Sequence, residues 1–140
     1  MNSGLTGLMR TQIISPDQEI YSGNSEMVVL PGEDGDFAAM FEHAPLITYL
    51  REGKIEVSEA DNKEKIIYFV SGGFVKVEDN SCVIMVDYIK KIDDIDVDSN
   101  KKRISQLLSK VDNENDSTLK NSLLYDIDLL KSENSVALDN

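Results

Sequence analysis

The sequence predicts an α+β chain: an antiparallel β-sandwich or barrel over residues 10–92, then a two-helix hairpin over residues 93–140. Three observations carry this. Short apolar runs alternate with turn residues as far as Ile92, the pattern of many short antiparallel strands. The composition then changes to an acidic run, Asp93-Asp94-Ile95-Asp96-Val97-Asp98. Beyond it, Ile104, Leu107, Leu108 and Val111 recur at helical spacing, and so do Leu119, Leu123, Leu124, Ile127 and Leu130. Two amphipathic helices joined by a short polar loop form an αα-hairpin.

Taken in order, residues 11–14 and 27–30 are β-branched or apolar and read as strands, separated by turn signals at Pro16-Asp17 and Ser22-Gly23-Asn24. Pro31-Gly32 and Asp34-Gly35 then stand close together. Proline fixes φ and donates no ladder bond, and glycine admits the positive φ of tight turns. Leu30 should therefore end one strand and Leu46 begin another, with a surface loop between them. That loop mixes the carboxylates of Glu33, Asp34, Asp36 and Glu42 with Met40 and Phe41. Either it is a contact surface for a partner, or it folds back so that Met40 and Phe41 plug the end of a core.

Residues 54–58 alternate strictly, as a half-buried strand does, and residues 66–70 form a continuous apolar run bounded by the turn Asp61-Asn62-Lys63. Ser71-Gly72-Gly73 should be a bulge or sharp bend. Val75 and Val77 alternate with Lys76 and Glu78, Asp79-Asn80 makes a turn, and residues 82–86 return as a strand. In the helical part, Ser99 or Asn100 should cap the first helix and Ser117 the second. Residues 112–116 should separate the two helices, and residues 136–140 should form a frayed end.

The net charge of −12 over 140 residues argues against a nucleic-acid backbone or an anionic membrane surface as partner. A single cysteine, Cys82, allows no intrachain disulfide and suits a reducing compartment. Residues 1–12 lack the apolar core of a secretory signal and, with Arg10 alone, the several arginines of a mitochondrial presequence, and Met9 offers an alternative start.

No catalytic, metal or cofactor site is expected. Asp94-x-Asp96-x-Asp98 imitates the start of a calcium loop, but Ser99 and Ser105 stand where its Gly and bidentate Glu belong. His43 is the only histidine, and a dyad with Cys82 lacks an orienting third group. Gly35 and Gly73 precede Asp36 and Phe74, not the Lys-Ser/Thr of a phosphate loop. Asn115-Asp116-Ser117 matches a glycosylation sequon by chance.

Pro31-Gly32-x-x-Gly35-x-Phe37, His43-Ala44-Pro45-Leu46-Ile47-Thr48 and Ser71-Gly72-Gly73-Phe74 resemble, in order and spacing, the epsilon subunit of F-type ATP synthases, called delta in mitochondria. Ile14-Ser15-Pro16 and Tyr21-Ser22-Gly23 are similar to that family's opening strand and turn. Ala38, Phe41 and Glu42 depart from it, standing where the family usually has Gly after the Phe and Pro-Gly or Pro-Asn before the His.

The resemblance implies a sandwich followed by a helix hairpin, in a non-catalytic rotor subunit that links the gamma subunit to the membrane c-ring and couples proton flow to ATP synthesis. It implies c-ring contact through Glu33, Asp34, Asp36, Met40, Phe41, Glu42 and His43, and gamma contact through Ser15 and Thr48. It also implies transient contact of the hairpin with the catalytic alpha and beta subunits, and a place on the cytoplasmic face of a bacterial inner membrane. Ile95-Asp96-Val97-Asp98-Ser99-Asn100 lacks the Arg-Ala that ends the ATP-binding motif of some members, so no ATP site is expected. The second helix carries Asp126, Asp128 and Glu133 against Lys120 and Lys131, the wrong sign for holding an acidic catalytic surface, so inhibition of hydrolysis should be weak. The alternative is a free-standing sandwich that binds a small ligand or regulates another protein, with a deep apolar pocket and a permanently docked helix hairpin.

Overall fold

The computed structural model describes residues 7–139, so the expectations for residues 1–6 and for Asn140 lie outside the described residues. The chain divides into two compact units, Met1–Lys91 and Ile92–Asn140.

Among the described residues the first unit contains seven strands: β1 (Met9–Ile14), β2 (Glu19–Gly32), β3 (Gly35–Met40), β4 (Leu46–Glu59), β5 (Ile66–Glu78), β6 (Ser81–Val86) and β7 (Ile89–Lys91). The sheet runs β1-β6-β5-β4-β2, and β1 also pairs with β2, which closes it into a barrel-like sandwich; β3 continues from β2 and β7 pairs with β5. Closure removes most of the open edges that invite foreign pairing. All pairings are antiparallel except β1 with β6, which is parallel from Arg10↔Ser81 to Ile14↔Met85. Periodicity along one strand carries no information about the direction of its neighbour.

Strands β2 and β4 are 14 residues long, well above the usual five or six, because each serves several neighbours. The first half of β2 pairs with β1 and the second with β3, while register shifts on its β4 side at Ser25/Met27 and Val29/Gly32 let it bend. Ser22-Gly23-Asn24 therefore lies inside β2, opposite Gln12, Thr11 and Arg10, and is not a turn. The expected surface loop between Leu30 and Leu46 is also corrected: six of its residues form β3.

At Gly72-Gly73 the β4–β5 register does not shift between Leu46↔Val77 and Val57↔Ile66, so of the two expected alternatives the bulge is absent. The irregularity is a missing pair at Gly72, where both glycines have positive φ. Gly73 has φ 138°, and a Cβ on it would lie 2.1 Å from the carbonyl oxygen of Met85. Its role is close approach of β5 to β6.

Inward-facing Ile13, Val28, Leu30, Ile55, Val57, Val70, Val75 and Ile84 are fully buried and fill the interior. Each such side chain contributes roughly 1.5–3 kcal/mol relative to exposure.

In the second unit a 3-10 turn (Ile92–Asp94) leads to α1 (Val97–Asn113) and α2 (Ser117–Leu138). Asp96 caps α1, accepting from the Ser99 N–H at 3.0 Å. Asp116 caps α2, accepting from Thr118 and Leu119. These carboxylates displace the expected Ser99, Asn100 and Ser117 caps, since an N-cap Asp bonds orphan N–H groups and also complements the helix dipole. Contrary to the expected fraying at residues 136–140, α2 continues through Leu138.

Leu107, Val111 and Ile127 are buried in the helix seam, flanked by Ile104, Leu123 and Leu130. Leu108, Leu119 and Leu124 stay exposed, so the seam is narrower than the sequence stripes. Near its end, buried Asn100 donates to buried Asn134 at 3.0 Å, and Asn134 donates to the Val97 carbonyl at 3.3 Å.

Candidate partner-contact site

Three of the four carboxylates of the expected contact loop, Glu33, Asp34 and Asp36, gather at the tip of the β2–β3 hairpin. Gly32 pairs with Gly35, leaving Glu33 and Asp34 as a two-residue turn. Neither turn residue has positive φ, and Gly35, at φ 136°, absorbs the mismatch between this turn and the strand twist. Strand β4 then holds the tip. The Glu33 N–H donates to the Tyr49 carbonyl at 2.8 Å, and Arg51 Nε donates to the Gly32 carbonyl at 2.7 Å. The terminal nitrogen of Arg51 ion-pairs with Asp36. Glu33 and Asp34 are exposed, and neither forms an ion pair among the described residues.

Met40, Phe41, Glu42 and His43 lie at the other end of β3. Five residue steps of extended chain separate the two groups by about 17 Å, so the structure gives two patches in place of one loop. Met40 is 49% and Phe41 36% exposed, so neither acts as a plug. The His43 N–H donates to the Met40 carbonyl at 2.9 Å, closing a four-residue turn in which Glu42 has φ 68°. Positive φ at the third position alone marks a type II turn, normally built with Pro-Gly. Phe41-Glu42 adopts it anyway, helped by Asn80, whose side-chain oxygen accepts the Glu42 N–H at 2.6 Å. The Asn80 carbonyl accepts the Arg10 N–H at 2.9 Å, so this one residue ties the starts of β1 and of the turn together. The His43 ring lies 6.1 Å from Phe37, and its Nδ1 is 2.7 Å from the Ala44 carbonyl oxygen.

Ser15 follows β1 half-buried, its N–H and hydroxyl both donating to the Gln18 carbonyl. Thr48 lies opposite buried Val75, on the face of β4 shared with Leu46 and Leu50. Sequence reasoning missed an apolar row on the opposite, outward face of these strands. Tyr49 pairs with Phe74, Phe74 with Met85, and Met85 with Ile14, giving an apolar row across four strands. Tyr49 is 68% exposed, and Ile47, two residues earlier, 69%. A groove of about 350 Å³ opens between Ile14, Ser15, Pro16, Phe74 and Met85. Each outward residue sits singly in the sequence between inward ones, so only the pairing register reveals the row.

Cys82 is fully buried, and desolvation pushes its thiol up to about 12, far from a nucleophile's range. Burial, followed by the 2.6 Å hydrogen bond to Glu59, raises Tyr21 to about 12. Among the described residues no group of His, Cys, Asp and Glu could hold a metal ion, and no helix is long and apolar enough to cross a membrane.

A small closed sheet followed in the chain by a helix pair defines the α+β class, and its exposed tips and faces are the candidate contact surfaces. The chain belongs to the ATP synthase delta/epsilon chain family: the family model for the beta-sandwich domain of these chains matches residues 8–92. It is 33% identical over 104 residues to the ATP synthase epsilon chain of Gluconacetobacter diazotrophicus, covering 74% of this chain and 73% of that one. It is 31% identical over 123 residues to the epsilon chain of Dichelobacter nodosus, covering 85% of each. Among solved structures, a chain of the Euglena gracilis mitochondrial ATP synthase (OSCP/F1/c-ring) has a similar fold, with TM-score 0.73 and 17% identity over 91% of this chain and 80% of that one.

Proposed function

We propose that the chain is the epsilon-type central-stalk subunit of a proton-translocating F-type ATP synthase. It links the gamma subunit to the c-ring and carries no catalytic residues of its own. The observation that carries this reading is the family match over residues 8–92, joined to likeness with named epsilon chains along most of the length. The structural neighbour, from an assembly that includes F1 and the c-ring, supports the partners. The protein sits peripherally, on the cytoplasmic face of a bacterial inner membrane, held there by its partner subunits.

Within that role the hairpin tip, with Glu33 and Asp34 open and Asp36 paired to Arg51, meets cationic groups of the c-ring through charge-assisted hydrogen bonds. Met40, Phe41, Glu42 and His43 form a second patch of the same contact. Gamma contact runs from Ser15 across the row of Ile14, Met85, Phe74 and Tyr49, with Thr48 next to Tyr49 on the other face of β4; exposed aromatic and Met side chains are typical anchors of protein interfaces. No ligand pocket is required, because the sandwich interior is filled with fully buried aliphatic side chains.

The test is reconstitution with the complementary subunits, measuring proton-driven ATP synthesis with and without this chain. Synthesis should depend on the chain, and Asp36→Arg should weaken c-ring docking at low ionic strength. Equal coupling without the chain would overturn the proposal.

A further inference from the structure

We infer that Arg51 is the positioning residue of the carboxylate tip, and that Asp36 serves the tip mainly as the partner of Arg51. This rests on reading the tip as the c-ring contact. The two-residue turn Glu33–Asp34 has no positive φ of its own; its backbone is fastened by Gly35 at φ 136° and by the Glu33 N–H bond to Tyr49, and the side chain of Arg51 joins its two arms. Arg51 reaches from β4 to both arms of the hairpin at once. Its Nε holds the Gly32 carbonyl at the end of β2, and its terminal nitrogen holds Asp36 at the start of β3. A planar guanidinium spans two acceptors in a fixed fork; an ammonium acts as a point charge. With Asp36 neutralised by Arg51, the open charge of the tip is that of Glu33 and Asp34.

This assignment and simple charge attraction predict opposite signs. Removing the Arg51 cation makes the tip more negative. If the tip worked only by its field, Arg51→Met would tighten binding to a cationic partner surface. If Arg51 positions the turn, the same change weakens binding.

The experiment measures amide exchange at residues 33–36 in the full chain and its docking to purified c-ring at low salt, for the parent, Arg51→Met and Arg51→Lys. Arg51→Met should speed exchange at the tip and weaken docking, each by about tenfold, with Arg51→Lys restoring only part of either. Docking by Arg51→Met that equals or exceeds the parent overturns the inference, whatever the exchange does. A parent chain that does not dock at all overturns the c-ring reading itself. Unchanged exchange in Arg51→Met shows that the tip needs no such support, and overturns the positioning role even if the contact stands.

Discussion

At the scale of single residues, Glu42 and Cys82 give the sharpest expectations. Glu42 holds φ 68° at a position that type II turns normally give to glycine, a conformation costing a non-glycine residue roughly 1–2 kcal/mol. Glu42→Gly should keep the 2.6 Å bond from residue 42's N–H to Asn80 and remove the strain. Urea unfolding should show a gain of about 1 kcal/mol; a loss would mean that the Glu42 side chain contributes something the geometry does not reveal. Cys82 sets the alkaline limit. Its thiol pKa is raised from 9.0 to about 12 by desolvation, so the fold favours the protonated form. Stability from this group is complete below pH 9.0, where the unfolded thiol is still protonated, and is lost as pH rises toward about 12. The loss approaches about 1.4 kcal/mol per pH unit. Tyr21 adds the same sign from pH 10.0 upward. Cys82→Ala should therefore flatten the fall of stability between about pH 9 and 10, before Tyr21 contributes. An unchanged slope in that window would show that the buried thiol is not its source.

At the scale of elements, the sequence was most readable where side-chain periodicity alone decides the outcome. Residues 54–58 lie within β4, with Ile55 and Val57 inward and Lys54, Glu56 and Ser58 outward, and the two helical stripes are helices. It was least readable where a partner strand overrides local preference. Ser22-Gly23-Asn24 carries turn residues yet lies in β2, because β1 pairs with it residue by residue. Strand β3, with Asp36, Ala38 and Ala39, has little β propensity and is set by its pairing with β2. That hidden strand also explains the candidate site. The residue types were visible, but their split into two groups at opposite ends of β3 was not, and neither was Arg51, fifteen residues from Asp36. In the helix pair, the Asn100–Asn134 bond is a buried polar contact at the end of an apolar seam, the kind of contact that fixes helix register at some cost in stability. Asn134→Leu alone should destabilise the hairpin by roughly 1–3 kcal/mol, because Asn100 is left buried without its partner. The double change to Leu should recover most of that loss while broadening the amide spectrum of α1 and α2 as alternative registers become populated. A double variant as unstable as the single one would show that the pair stabilises the helices and does not specify them.

At the scale of the whole molecule, charge decides what the helix pair can do to a catalytic partner. The sequence alone suggested that α2 opposes an acidic surface, counting Asp126, Asp128 and Glu133 against Lys120 and Lys131. The sum over α2 is unchanged; burial of Glu133 only leaves Asp126 and Asp128 as the exposed acids against Lys120 and Lys131, so this helix offers an acidic surface no net attraction. Helix α1 keeps Lys101, Lys102, Arg103 and Lys110 exposed, so any attraction comes from α1. Exposed pairs contribute about 0–1 kcal/mol each and weaken with salt, so four cations on one helix give a shallow, ionic-strength-dependent hold. Opening the pair would also expose Leu107, Val111 and Ile127, at roughly 1.5–3 kcal/mol for each fully buried side chain. That cost exceeds what α1's charges return unless a partner covers the same three side chains. The expected outcome is weak inhibition: removing residues 93–140 from a reconstituted synthase should raise ATP hydrolysis by less than about twofold at low ionic strength, and by less still at about 0.15 M salt. A several-fold rise that survives added salt would show that apolar contact, not charge, holds the helices in an inhibitory position, and the charge argument would fail.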